Sequence, residues 1–202
     1  MKKLLLKLVL FAACLVHGIN ASAGALEGIE AYERGDYFVA LGEFRPLANG
    51  GNEKAQFIIG LMYEDGNGVP QDYKEAALWY LKAAEQGFAQ AQFNLAMMYR
   101  KGKGITKDYG ISLKWLRKAG EQGHANAQFT LGVIYQNGFG APRDYGEAVV
   151  WYLRAAEQEV AQAQFNLGMM YHRGQGVARD YREALKWLNR AVGSLPSEKE
   201  AF

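Results

Sequence analysis

The chain has 202 residues, of which 50% are apolar and 13% aromatic. That is enough for a packed core and excludes a disordered polypeptide. Its 23 Lys and Arg against 21 Asp and Glu give a formal net charge of +2. Three of those cations (Lys2, Lys3 and Lys7) sit in the first seven residues, so no basic surface suited to nucleic acid or to an acidic membrane is expected.

The chain opens with the basic stretch Met1-Lys2-Lys3, followed by the apolar run Leu8 to Val16. Nine residues are too few to cross a bilayer as a helix. Ala21-Ser22-Ala23 then offers a small-residue cleavage site. Residues 1–23 read as a secretory signal peptide cleaved after Ala23, with a periplasmic or secreted product. Cleavage removes the three lysines, takes the net charge from +2 to −1, and leaves no membrane span. An uncleaved anchor is the first alternative, and Lys7 inside the apolar region argues against it. Lipidation of Cys14 within "FAAC" at 11–14 is the second, and Phe11 and the apolar residues after Cys14 argue against that. Cys14 is the only cysteine, so the mature chain has no disulfide and must be held by packing.

From residue 52 the sequence repeats with a step of 36. Trp79, Trp115, Trp151 and Trp187 keep that step, as do Tyr63, Tyr99, Tyr135 and Tyr171, and Phe57, Phe93, Phe129 and Phe165. The glycine pairs Gly66/Gly68, Gly102/Gly104, Gly138/Gly140 and Gly174/Gly176 stay in phase. A fixed period of this size predicts an array of identical parts. Each part reads as two helices. In the first, Ala55, Ile59 and Tyr63 share one face. The column at 60 holds Gly, Ala, Gly and Gly, which suits close passage of a second helix. The glycine pairs end the first helix. Asp72, Asp108, Asp144 and Asp180 begin the second as N-caps, and Glu75, Glu147 and Glu183 three residues on predict a capping box. The tryptophans keep phase with Ala76 and Ala83, which predicts core positions, not sugar-stacking platforms. Gly87 and Gly123 suit the left-handed position after that helix, where the third repeat has a strained Glu159.

The expected domains are a degenerate capping repeat over 24–51, repeats over 52–87, 88–123, 124–159 and 160–195, and a polar tail over 196–202. In the capping repeat Asp36-Tyr37 aligns with Asp72-Tyr73, and residues 25–34 supply its first helix. The tail is too short for another helix pair, so the last repeat keeps an open side. The tail folding back, a partner, or self-association through that end would cover it.

Catalytic patterns are sparse. Ser112 stands in an alanine column and reads as a packing residue; Ser194 and Ser197 lie in the tail. His124 and His172 belong to different helices, without metal-ligand spacing, and read as surface histidines. The glycine pairs follow helices and lack the Lys-Ser/Thr of a phosphate loop. No catalytic residue, metal or cofactor is assigned.

The pattern A-x-A-Q-x-x-L-G-x-x-Y, then G-x-G, then D-Y-x-x-A-x-x-W-x-x-x-A-x-x-Q-G resembles the Sel-1-like repeat, a relative of the tetratricopeptide repeat. "AQAQFNLAMMYRKGKGITKDYGISLKWLRKAGEQG" and "AQAQFNLGMMYHRGQGVARDYREALKWLNRA" carry it most fully. The resemblance spans about residues 52 to 193 and implies an all-α fold, a right-handed α-solenoid of antiparallel helix pairs that serves as an adaptor for other proteins. Some members similar to this family are penicillin-binding or β-lactam-hydrolysing proteins, but they resemble a cysteine-rich branch whose cysteines this chain lacks.

The columns left over on the first helices give the candidate site. They read Lys54, Gln90, Asn126, Gln162; Ile58, Asn94, Thr130, Asn166; Leu61, Met97, Val133, Met169; and Asp65, Lys101, Asn137, Arg173. By resemblance to tetratricopeptide superhelices this strip would floor a concave groove. Amides can bond both donors and acceptors of an extended peptide, and methionines adapt to varied apolar side chains. Four layers about 10 Å apart span roughly 40 Å, or about ten extended residues. The expected partner-binding residues are Gln90, Asn94, Met97, Lys101, Asn126, Thr130, Asn137, Gln162, Asn166, Met169 and Arg173. Asn94 and Asn166 are expected to be exposed. The expected function is an exported scaffold that binds a peptide or protein partner, with neither nucleic acid nor a membrane span. The alternatives are a structural factor binding envelope glycan and a β-lactam-hydrolysing enzyme.

Overall fold

The computed structural model describes residues 23–193. Residues 1–22, which hold Cys14 and all but the last residue of the expected signal peptide, and residues 194–202 lie outside those residues. Within them the chain is all-helical, with ten helices in antiparallel pairs: α1 (Ala23–Arg34), α2 (Tyr37–Asn49), α3 (Glu53–Asp65), α4 (Tyr73–Glu85), α5 (Ala89–Lys101), α6 (Tyr109–Glu121), α7 (Ala125–Asn137), α8 (Tyr145–Glu157), α9 (Ala161–Arg173) and α10 (Tyr181–Gly193). No described helix is long and apolar enough to cross a membrane. The helices fall into two compact units, divided after Phe88.

The first unit holds α1–α4. Its core gathers Ala31, Ala40, Leu41, Phe44, Ala48, Ala55, Ile58, Ile59 and Met62. The degenerate leading pair is thus a full helical hairpin, with Asp36 capping α2 by accepting from Val39 N. The second unit holds α5–α10. Its core is built from Leu116, Leu131, Ile134, Tyr152, Leu167, Met170 and the two tryptophans Trp151 and Trp187.

The glycine column is set by the opposite helix of the same hairpin. A Cβ on Gly132 would lie 2.5 Å from the Tyr152 ring, and one on Gly60 would lie 2.6 Å from Tyr80. In the second repeat Ala96 occupies the column, and the opposing residue is the narrower Leu116. Small residues here trade helix propensity for close packing of two helices.

The aspartate caps form, with one correction. Asp72, Asp108, Asp144 and Asp180 all accept amide bonds from the first turn of their helices. The reciprocal half of the capping box does not form. The cap N–H donates to the tyrosine carbonyl of the preceding helix, as in Asp144 N to Tyr135 O at 2.9 Å. The glutamates therefore serve elsewhere: Glu147 accepts from Trp151 Nε1 at 3.1 Å, and Glu183 binds Lys186. Binding the cap amide to the first helix fixes the turn between the two helices, which a local capping box would not do.

Glu159 has φ of 63°, the one positive value outside glycine among the described residues. It occupies the position that Gly87 (92°) and Gly123 (89°) fill in the preceding repeats, as expected for a strained helix end.

The tryptophan column divides. Trp151 and Trp187 are 5% and 4% exposed, whereas Trp79 and Trp115 are only half-buried. Lys82 lies 3.8 Å from the Trp79 ring centre and Lys118 lies 4.4 Å from that of Trp115. The exposed ring faces are covered by cations. Ser112 is buried and donates to Ala96 O at 2.8 Å, a packing residue as expected.

Candidate interaction face

All eleven expected partner-binding residues lie on the first helices of the second unit: four on α5, three on α7 and four on α9. A spacing of four, three and four residues keeps them on one side of each helix. None belongs to the core. Gln90, Asn94, Met97, Thr130, Asn166 and Met169 are half-buried, and Lys101, Asn126, Asn137, Gln162 and Arg173 are exposed. Val133, between Thr130 and Asn137, packs against the core. In the first unit the equivalent of Asn94 is Ile58, which is 2% exposed. The polar strip is therefore a feature of the second unit.

Several of these groups already have internal partners. Asn94 and Asn166 are not the exposed residues that the sequence suggested. Asn94 accepts from Gln90 Nε2 at 3.5 Å. Asn166 hydrogen-bonds the Tyr152 hydroxyl, which also donates to Gln136 Oε1 at 2.7 Å. Burial pushes that phenol up to about 12, and the Asn166 bond works in the opposite direction. Asn166 is therefore a second partner of a buried hydroxyl that already donates to Gln136. Thr130 Oγ1 donates to Asn126 O, and Asn137 Nδ2 to Val133 O, both within α7. The side chains of Asn126 and Gln162 make no internal hydrogen bond among the described residues and face solvent. Within the strip they are the amides available to a ligand.

His124, read from sequence as a surface residue, is structural. Its Nδ1 accepts from Ala127 N at 3.1 Å and caps α7. Its Nε2 lies 2.9 Å from Gln90 Oε1, and its ring stacks on Phe93 at 4.7 Å between centres. The ring therefore ties α5 to α7. Burial pulls its pKa down to about 4. An Nδ1 acceptor requires the neutral imidazole with the proton on Nε2, and that proton is donated to Gln90. His172 is exposed on α9 beside the Tyr181 ring.

Sequence reasoning missed a second polar device. Gln56, Gln92, Gln128 and Gln164 are 2–5% exposed. Gln128 donates to Gly120 O at 2.9 Å and accepts from Gln158 Nε2 at 2.7 Å. Gln56 repeats this with Ala48 O and Gln86. Gln56, Gln128 and Gln164 each join their own repeat to the helix before it. The signal was present in the Ala-Gln step at 55–56, 91–92, 127–128 and 163–164 and in the Glu-Gln step at 85–86, 121–122 and 157–158, but a buried amide cannot be told from an exposed one by spacing alone.

The strip meets an apolar surface at one place. A cavity of about 490 Å³ is lined by Phe129, Ala161, Gln162, Phe165, Asn166 and Val192, among others. Phe165 is 52% exposed, whereas Phe57 in the same column is 4% exposed and Phe93 and Phe129 are half-buried.

The Sel1 repeat family model matches residues 53–88, 89–124, 125–160 and 161–192. Several solved structures are similar to the chain. The Sel1 repeat protein from Oxalobacter formigenes is 41% identical, with a TM-score of 0.80, over 83% of this chain and 69% of that one. The protective antigen c5321 of uropathogenic Escherichia coli, described as displaying an SLR fold, is 37% identical, with a TM-score of 0.81, over 96% of this chain but only 41% of that one. The immunity protein Pa5087 from Pseudomonas aeruginosa, at 20% identity and a TM-score of 0.51 over 83% of this chain and 66% of that one, shares the fold alone. No curated protein matches. With four matched repeats over most of its length, the chain belongs to the Sel1 repeat family.

Proposed function

We propose that the chain is an exported interaction scaffold that acts by contact, not catalysis, and binds an extended peptide or protein segment along α5, α7 and α9. The carrying observation is that these three helices present one continuous non-core strip of amides, methionines and cations. Stacked repeats sum modest contacts along such a strip, and the exposed Asn126 and Gln162 side chains supply donors and acceptors for a peptide backbone. Met97 on α5 and Met169 on α9 add partly accessible apolar contacts. Export rests on residues 1–23, which read as a cleavable signal and would deliver the scaffold to the periplasm or beyond.

Lys82 and Lys118 cover the exposed faces of Trp79 and Trp115, which counts against those two rings as glycan-stacking platforms. Affinity capture from a solubilised envelope extract, followed by mass spectrometry, tests the peptide-binding reading. The wild-type chain should enrich one or a few proteins, and Asn126→Arg/Gln162→Arg should lose them while melting at an unchanged temperature. Equal retention by the double variant would refute the strip as the binding face.

A further inference from the structure

Within the second unit the same column has three different fates. Phe93 is covered by the stacked ring of His124. Phe129 is half-buried, with Val160 in the equivalent covering position and both in the core's apolar shell. Phe165 is 52% exposed and borders the 490 Å³ cavity. In the first unit Phe88 plays the covering part, 5.2 Å from Phe57 in an edge-to-face contact. The fold thus shows what this column takes: a ring or a branched apolar side chain set on the phenylalanine.

A further Sel1 repeat does not fit there. The inner repeats keep Gly120 and Ala156 where the next first helix approaches, and a Cβ on Gly120 would already lie 2.9 Å from Leu131. The last repeat has Val192 in that column. Position 195, where a turn like the earlier ones would need positive φ, holds Leu, and position 196, where those turns use an amide N–H, holds Pro.

Along α9 the cavity is continuous with the polar strip. Gln162 and Asn166 line its edge, Met169 follows, and the exposed Arg173 ends the row. Arg173 has no ion-pair partner among the described residues. The strip in the second unit carries Lys101 and Arg173 and no acid. The helix C-terminus offsets only about half a charge, so this end of the row favours an anion. Phe165 and Arg173 are eight residues apart on the helix, about 12 Å, which an extended chain covers in about four residues.

We infer that the last repeat binds an acidic peptide segment of a partner protein, placing an aromatic side chain on Phe165 and a carboxylate about four residues away on Arg173. This rests on the proposed peptide-binding face and assigns it an anchor and a charge. The cavity exceeds the volume of one aromatic side chain, leaving room for a flanking residue, and Gln162 is placed to bond the segment's backbone.

Selection of displayed random nonapeptides on the purified full chain tests this. The enriched peptides should share an aromatic and an acidic residue about four positions apart. Phe165→Ser should weaken them at least tenfold while the melting temperature stays within a few degrees, because Phe165 is half-exposed. Arg173→Glu should weaken them and shift selection toward basic residues. The inference is overturned by enriched peptides without an aromatic residue, by equal binding to Phe165→Ser, or by no enrichment. It is also overturned if a chain shortened after Gly193 binds the peptides tenfold more tightly, making the chain's own end the occupant, or if the chain dimerises and Phe165→Ser dissociates it. Asn126→Arg on α7 separates the two proposals. Peptides lost with Asn126→Arg but kept by Phe165→Ser leave the face standing and remove the anchor; peptides indifferent to both remove both.

Discussion

The third and fourth repeats share their phenylalanine, glycine, aspartate and tryptophan columns and differ in what is left uncovered. Val149 is 8% exposed and its counterpart Leu185 is 61%; Ala156 is 1% exposed and Val192 is 69%. The same columns serve as the inside of an array in one repeat and as its surface in the next. A position in a stacked protein therefore gets its role from its neighbour as much as from its own helix. Residues that look like core by phase are exposed apolar surface in the last described repeat.

Substitutions that exchange the two repeats should break or sharpen that contrast. The largest effect is expected at Trp151, buried in the third repeat with its indole N–H bonded to Glu147. Trp151→Ala should cost about 3–5 kcal/mol by leaving a cavity, read from chemical denaturation, and Trp115→Ala should cost less because that ring is half-exposed. Next is the pH response of the junction into the third repeat. The pKa of His124 in the folded chain is about 4, below the ordinary value near 6.5. The unfolded chain therefore binds the additional proton between those values. Stability from this group is complete above about pH 6.5, is lost as pH falls, and levels off below about 4, a change of up to about 3 kcal/mol. His124→Asn keeps a cap of the kind that Asn52 provides for α3 and should flatten that window in pH-dependent melting curves. A slope unchanged by the substitution would assign it to other groups.

Smaller effects follow at the repeat ends. Ala156→Val writes the fourth repeat's residue into the third and should cost about 1–3 kcal/mol by overpacking, whereas Val192→Ala should change stability by under about 0.5 kcal/mol. Equal effects at 156 and 192 would show that the two faces are equally covered. Glu159→Gly should stabilise by about 1 kcal/mol, since it removes a left-handed conformation that glycine adopts freely, and should raise the melting temperature by about 2–4 °C.

Much of this architecture was legible from the sequence because it is written in phase. The helix pairs, the aspartate caps, the glycine turns and the strain at Glu159 follow from local chemistry repeated every 36 residues. What depended on a neighbour was not legible. The glutamates after the caps looked like capping boxes, but the cap amides bind the preceding helix. His124 looked like a surface residue because nothing in its own helix shows that Phe93 and Gln90 enclose it. Asn166 looked exposed because its partner, the Tyr152 hydroxyl, comes from the previous repeat. Phe165 keeps phase with Phe57, Phe93 and Phe129, and phase alone does not show that Phe88, His124 and Val160 stand over those three while no described residue takes that place over Phe165. In the candidate strip the helical face could be read from spacing, but which amides are already engaged could not.

The most direct test of the account is site-specific photo-crosslinking of the full chain in an envelope extract. A photoreactive residue would replace Asn126 or Gln162 on the strip, or Glu121 or Glu157 at the exposed ends of α6 and α8. The account predicts discrete partner adducts from positions 126 and 162 and none from 121 and 157. Adducts from 121 and 157, with none from the strip, would contradict it and move the binding surface to the second helices.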